Sequence, residues 1–493
     1  MVIHAQPDTA DIQWGPCDIN GTLPFVCGNI SVPLDYSNPN SSEALIIELL
    51  KAPAIKQPSK GNILFNWGGP TASGRELMAA QGAQLMATTG GYWDLVSFDP
   101  RGAGKTIPFS CYPNTTERQI ANLQNPYLNG NSSDTTVGRL WAESENFDEA
   151  CHANGNSTGG LVGYAFLARD YMRIAEALNE DGLLRFYGLS AGTVLGATIA
   201  AMFPDRIDRM VLDGVWNIHE YYHYHAVQGF HDTDKTFSGF LSSCIAAGSN
   251  CTLSRLNLTS AQLEESVFDL IETAKYHPIP YQGILLDYTL VRNVIFLSLT
   301  QLVSWPALAT FLHALFTHNM SELDTIFPSL QTDEDPIFTE QRAATQCGDK
   351  ASGVRTSDIQ DVYPVFEQLE QVSKLAGDRI FYDVDFCSRW KMEAKEKYLG
   401  DFNVTTRQPI LIIGNTFDPV TPLISARNAS ASLRGSVVLQ HDGFGHTSAS
   451  QPSLCTAKTT QAYLENGTLP EDGAVCMADV PPFSNVTWMD VLG

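Results

Sequence analysis

The chain has 493 residues, 44% hydrophobic and 17% charged, a usage that excludes wholesale disorder and allows a large core spread over two or three structural units or one enlarged domain with an insertion. Thirty Lys and Arg stand against 54 Asp and Glu, a net charge of -24. That balance repels phosphate backbones and anionic lipid, so neither nucleic acid nor a membrane is an expected partner.

In chain order, the first fifteen residues lack the apolar run of a signal peptide, and a leader, if there is one, is expected to have been removed before this numbering begins. Short apolar runs at 44–55, 61–66 and 93–98, bounded by Gly, Pro and polar clusters, predict buried strands. Helical spacing follows at 163–179, then a strand at 183–188, a small-residue helix at 191–203 and another strand at 209–215. Strand, helix, strand, helix predicts βαβ units and a parallel sheet with right-handed crossovers.

From 218 to about 395 the texture turns helical, as in 261–276 and 305–316, and strand pattern resumes at 408–415 and 436–442. The greasiest stretch, 290–316, contains Arg292, Asn293, Gln301 and His313, which argues against a membrane span. The expected division is a core over 1–217, a helical cap inserted over 218–400, and the rest of the core over 401–493.

Thirteen of the 25 asparagines lie in Asn-x-Ser/Thr: Asn20, Asn29, Asn40, Asn114, Asn131, Asn156, Asn250, Asn257, Asn319, Asn403, Asn428, Asn466 and Asn485. Chance would supply about four, so the excess points to a glycosylated, secreted protein. The ten cysteines fall as sequence neighbours: Cys17 and Cys27, Cys111 and Cys151, Cys244 and Cys251, Cys347 and Cys387, Cys455 and Cys476. Closed in an oxidising compartment, each pair could contribute roughly 2–5 kcal/mol, although sequence alone does not fix the connectivity.

The sharpest local signal is Gly188-Leu189-Ser190-Ala191-Gly192, because it sits where a predicted strand turns directly into a predicted helix. A nucleophile elbow needs that context, with glycines relieving a crowded turn that lifts the serine oxygen above the sheet edge. A second copy, Gly155-Asn156-Ser157-Thr158-Gly159, has no strand feeding it and reads as a surface loop.

A serine hydroxyl needs a base, and the base needs an orienting acid. Asp418 and His446 each lie just beyond a later predicted strand, which gives the order Ser190, Asp418, His446. The rivals His441 and Asp442 are placed worse, His441 within a strand-like run and Asp442 with too little chain to reach back. Oxyanion donors are expected from Ala191 N–H and from the loop Asn66-Trp67-Gly68-Gly69-Pro70. His219-Glu220-Tyr221-Tyr222-His223 formally matches a zinc-peptidase helix but shows no third ligand, and an aromatic-rich cap entrance is the plainer reading.

With these residues in view, NWGGPTASG, LVSFDPRGAGKT, GLSAGTVLGATIAAMFPDRIDRMVLDGV, CIAAGSNC, ILIIGNTFDPVTPLISARNAS and DGFGH resemble the secreted tripeptidyl aminopeptidase-like branch of the α/β-hydrolases, in the prolyl aminopeptidase superfamily. The likeness runs over about residues 17 to 480. It implies an α/β-hydrolase fold with a mostly parallel sheet and an inserted helical cap domain. It also implies Ser190 as nucleophile, Asp418 as acid, His446 as base, and Gly69 and Ala191 as oxyanion donors. Relatives usually carry His-Gly-Gly-Pro-Gly where Trp67-Gly68-Gly69-Pro70-Thr71 stands. In such aminopeptidases cap carboxylates bind the peptide's amino group; Glu220, Asp232 and Asp234 are acidic cap residues here, without a mapped role.

The expectation is therefore a secreted serine hydrolase working through an acyl-enzyme on small peptides near a free N-terminus, with no metal or organic cofactor. The alternatives are an ester, lactone or specialised-metabolite hydrolase with the same triad, a catalytically silent binding protein on the same fold, and a zinc peptidase.

Overall fold

One 11-stranded sheet carries the architecture of the computed structural model, which describes residues 2–4, 12–179, 181–330, 337–379 and 381–493. Its principal strands are β1 (Val26–Pro33), β2 (Glu43–Ala52), β3 (Asn62–Asn66), β4 (Asp94–Phe98), β5 (Leu184–Leu189), β6 (Ile207–Asp213), β7 (Leu411–Phe417) and β8 (Val437–Phe444). They lie in the order β8-β7-β6-β5-β3-β4-β2-β1, with Val475–Met477 beyond β8 and Gly15–Pro16 beyond β1. Pairing is parallel from β4 through β8 and antiparallel where β2 meets β4 and β1.

The parallel strands are near-continuous apolar runs because helices cover both of their faces. On one side Leu64, Val96, Phe186, Met210, Leu212 and Ile412 join a cluster with the helices Tyr164–Leu178 and Gly192–Met202. On the other, Ile63, Phe65, Leu95, Tyr187, Val211 and Ile413 pack against Met78 and Leu85 of Gly74–Thr88 and against Tyr463.

Between β6 and β7 the chain is mostly helical, with one small antiparallel hairpin, Ile279–Tyr281 against Ile284–Leu286. Residues 237–330 of this block build an apolar cluster of their own around Phe237, Phe240, Trp305, Leu308 and Phe311. Ala343, Ala344, Cys347, Trp390 and Met392 belong instead to the sheet's cluster, so the later part of the block lies on the core.

One sequence expectation is overturned. Gly155–Gly159 is not a loop but the end of the helix Thr136–Gly159. Its buried positions, Leu140, Ser144, Asp148, Cys151, Gly155 and Gly159, recur at helical spacing. The polar composition of the exposed face had hidden that period, and Gly155 is needed because a side chain there would strike Phe109, 2.2 Å away.

The ten cysteines form five disulfides in the structure, each joining one of the sequence-neighbour pairs. Eleven of the thirteen sequon asparagines are exposed. Asn131 and Asn428 are only partly so, with their amides donating to Glu370 and to Gln228 Oε1. Among the described residues no helix is long and apolar enough to cross a membrane.

Beneath the sheet edge, Arg101 and Asp170 form an ion pair with both side chains at 0% exposure. Arg101 Nη1 and Nη2 also donate to the carbonyls of Leu34 and Pro33, and Tyr36 Oη–H donates to Asp170 at 2.8 Å. This knot ties the chain after β1 to the loop after β4 and to the helix Tyr164–Leu178.

Candidate active site

Ser190 stands between the end of β5 and the helix Gly192–Met202, at φ 55°. For a non-glycine residue that left-handed conformation costs on the order of 1–3 kcal/mol and persists only where surroundings impose it. Here they do. Ser190 N–H donates to Asp213 O at 3.0 Å, and its carbonyl accepts from Thr193 N–H and Oγ1–H. A Cβ on Gly188 would lie 2.4 Å from Gly192 O, and one on Gly192 would lie 2.5 Å from Asn66 O, so the elbow closes only with glycine at both places.

The loop after β3 runs directly over this turn. Gly68, at φ 85°, approaches so closely that a Cβ would meet Leu189 O at 2.6 Å, Ala191 N at 2.8 Å and Ser190 Cβ at 2.9 Å. Its own N–H is engaged by Asn66 Oδ1 at 3.0 Å. Gly69 and Ala191 donate no main-chain hydrogen bond to any of the described residues, and Gly69 is partly exposed. Trp67 donates its indole N–H to the buried Ser97 Oγ at 3.2 Å.

The loops after β7 and β8 bring Asp418 and His446 together. Asp418 is fully buried; its Oδ2 lies 3.0 Å and its Oδ1 3.1 Å from His446 Nδ1. The carboxylate also accepts Val420 N–H, Thr421 N–H, Thr421 Oγ1–H and Thr447 N–H, all at 2.8–2.9 Å. Burial alone would raise its pKa, but the adjacent imidazole and these donors hold it below the ordinary carboxylate value. Burial likewise opposes the charged imidazole, yet the Asp418 carboxylate outweighs it and His446 titrates above the ordinary histidine value. Among the hydrogen bonds of the described residues none joins Ser190 Oγ to His446, a contact that commonly tightens only with substrate bound.

Thr421 and Asp213 were not found from sequence. The turn Asp418-Pro419-Val420-Thr421 carries a signal for the first, since an Asp that accepts main-chain N–H groups two and three residues on is a recurrent turn device. The rival base is displaced by position: His441 lies within β8, is fully buried, bonds Thr456 Oγ1 at 2.9 Å and is pushed by burial to a pKa of about 4.

The helical block between β6 and β7 is fastened to both loops. His446 N–H donates to Thr300 O at 2.7 Å and Leu302 N–H to Ser450 Oγ at 3.3 Å, while Thr233 and Thr236 hydroxyls donate to the carbonyls of Pro419 and Phe417. Three acidic residues of that block are occupied: Glu220 accepts Gln228 N–H, Asp232 is buried and pairs with Lys235 at 2.6 Å, and Asp234 accepts Ser373 Oγ–H and the N–H groups of Lys374 and Leu375.

His219 and His223 share the short helix Ile218–His223, where Tyr221 and Tyr222 are buried. Their ring nitrogens engage Ser432 Oγ and Gly400 O, and they line a cleft of about 740 Å³ with Glu220, Tyr224 and His225. Among the described residues no three His, Cys, Asp or Glu side chains are grouped as a metal ion requires.

The family model described as alpha/beta hydrolase fold matches residues 81–366, and the one described as TAP-like protein matches residues 373–476. The chain is similar to Serine protease Hip1 of Mycobacterium tuberculosis, 25% identical with 94% of this chain and 91% of the relative covered. It is similar to Tripeptidyl aminopeptidase of Streptomyces lividans, 32% identical over 44% of this chain and 40% of that protein. Carboxylesterase B of Mycobacterium tuberculosis is 24% identical, with 91% and 86% covered. The chain therefore belongs to the α/β-hydrolase fold family, carries that family's TAP-like C-terminal region, and is a serine hydrolase.

Proposed function

We propose that this hydrolase cleaves small peptides near a free N-terminus through an acyl-enzyme formed on Ser190. The observation that carries the reading is the buried Asp418 carboxylate bonded to His446 Nδ1 opposite a strained serine elbow. His446 takes the Ser190 proton as Oγ attacks the carbonyl, then gives it to the leaving amine. Asp418 orients the ring and stabilises the imidazolium. The N–H groups of Gly69 and Ala191 receive the oxyanion, each worth about 2.7–4 kcal/mol of barrier. Peptides as substrates are supported by the likeness to a serine protease and a tripeptidyl aminopeptidase. Aminoacyl- and tripeptidyl-fluorophores set against short acyl esters test it: cleavage abolished by blocking the N-terminus supports the reading. Ester turnover without amide turnover would overturn it, and the likeness to a carboxylesterase makes that the specific rival.

Because the base must be neutral, activity should be lost as pH falls through the raised His446 pKa, so the acidic limb of kcat/KM should lie above the ordinary histidine value of about 6.5. Asp418→Asn should move that limb to lower pH, since losing the anion favours the neutral ring. A limb already below pH 6 in the wild type would contradict the assignment.

The sequons and five disulfides support secretion through an oxidising, glycosylating compartment. If so, glycans should occupy exposed asparagines such as Asn403 and Asn466 and be absent from Asn428 and Asn131, whose amides are engaged. Site mapping of the secreted protein by mass spectrometry checks this; majority occupancy of Asn428 would refute it.

A further inference from the structure

Asp213 ends β6, immediately beside the elbow on β5. Its main-chain carbonyl accepts Ser190 N–H at 3.0 Å. Its side chain, 1% exposed, bonds the histidine loop and the neighbouring strand: Oδ1 accepts Ser448 N–H at 2.9 Å, and Oδ2 accepts Ser448 Oγ–H at 2.6 Å and, from β5, Tyr187 Oη–H at 3.1 Å. Ser448 lies two residues past His446. Among the described residues no Lys, Arg or His forms an ion pair with Asp213. A buried carboxylate satisfied only by neutral donors is costly, and burial pushes its pKa up.

A neutral residue would close the strand at less cost, so the carboxylate calls for a reason, and the contacts supply one. The next residue, Gly214, sits so tightly that a Cβ would meet Thr447 Cγ2 at 2.6 Å and Thr421 Oγ1 at 3.1 Å. The strand end thus abuts the residue after His446 and the hydroxyl that touches Asp418. Asp418 grips Thr447 N–H from one side, and Asp213 grips Ser448 from the other. Since Ser190 Oγ makes no hydrogen bond to His446 in the free protein, the gap between them is set by whatever holds both backbones, and Asp213 is bonded to the Ser190 backbone and to the histidine loop.

We infer that Asp213 is a positioning residue for catalysis, a buried strut that sets the distance from the nucleophile to the base by bonding the Ser190 main chain and Ser448 together. The inference rests on the reading of Ser190 and His446 given above. Displacing a reacting group by about 1 Å can cost on the order of a hundredfold in rate.

The test compares wild type, Ser190→Ala, Asp213→Asn, Ser448→Ala and Ser448→Thr by fluorophosphonate labelling rate and by kcat and KM on the best fluorogenic substrate. Asp213→Asn should lower kcat and the labelling rate together by about 10- to 100-fold with KM within twofold. Its acidic limb should also move to lower pH, because of the groups facing His446 (Asp418, Asp213, the Thr421 hydroxyl and the Thr300 carbonyl) one of two anions is gone. Ser448→Ala should lose several-fold, and Ser448→Thr, which keeps the hydroxyl, should recover most of it. Asp213→Asn that is folded by circular dichroism yet labels within twofold of wild type, with an unmoved limb, would overturn the proposal. If that variant does not fold, equal rates for Ser448→Ala and Ser448→Thr overturn it. Labelling that persists in Ser190→Ala would instead sink the nucleophile assignment, whatever the Asp213 variants show.

Discussion

Ser190→Ala should lower kcat/KM on any substrate the wild type cleaves by roughly ten-thousand- to million-fold and abolish fluorophosphonate labelling, with the melting temperature unchanged or raised. The last clause follows from the backbone. Residue 190 is held at φ 55° by bonds from its neighbours, and its hydroxyl contributes none of them. Asp418→Asn should cost roughly ten-thousand-fold, chiefly in kcat, because an amide facing Nδ1 stabilises the wrong imidazole tautomer. It differs from the serine variant in also loosening the turn, whose four other hydrogen bonds converge on the carboxylate. Burst-phase kinetics on an activated ester would show both: no acyl accumulation with Ser190→Ala, and a slow but measurable burst with Asp418→Asn. A burst of wild-type amplitude from Ser190→Ala would refute the mechanism outright.

Arg101→Met should destabilise the fold by about 3–5 kcal/mol, the largest single effect expected away from the site. Asp170 would be left charged and buried, with only the Tyr36 hydroxyl as donor among the contacts described. The freed carbonyls of Pro33 and Leu34 would lose their partner as well. Replacing both members of the pair with apolar residues of similar size should recover much of the loss, since the penalty comes from the orphaned charge more than from the missing attraction. Denaturant unfolding of the single and double variants reads this directly; a single variant within 1 kcal/mol of wild type would contradict it.

The parallel strands were legible in the sequence because burial on both faces leaves uninterrupted apolar runs, and GNILFN, WDLVSF and ILIIG each form the strand expected of them. Ser190 was legible because a motif and a strand-to-helix junction coincide. Asp418 and His446 needed only chain order and position after strands. Gly155–Gly159 was misread because most buried positions of that helix are threonine, serine, aspartate and glycine, which carry no apolar signal. Asp213 gave no signal either: an aspartate before a glycine at a strand end looks like any turn, and only coordinates reveal that its carbonyl and carboxylate bond two segments more than two hundred residues apart.

The sheet is assembled from two stretches of chain, with β1 through β6 encoded before the helical block and β7 and β8 after it. During synthesis Ser190 therefore emerges long before His446, the base proposed for it. A ribosome that has made everything up to residue 400 carries a serine with no proton acceptor from β8, and the strut at Asp213 has nothing yet to hold. On the proposed triad, such a gene layout leaves an unfinished chain without its base until β7 and β8 have been made and His446 follows them.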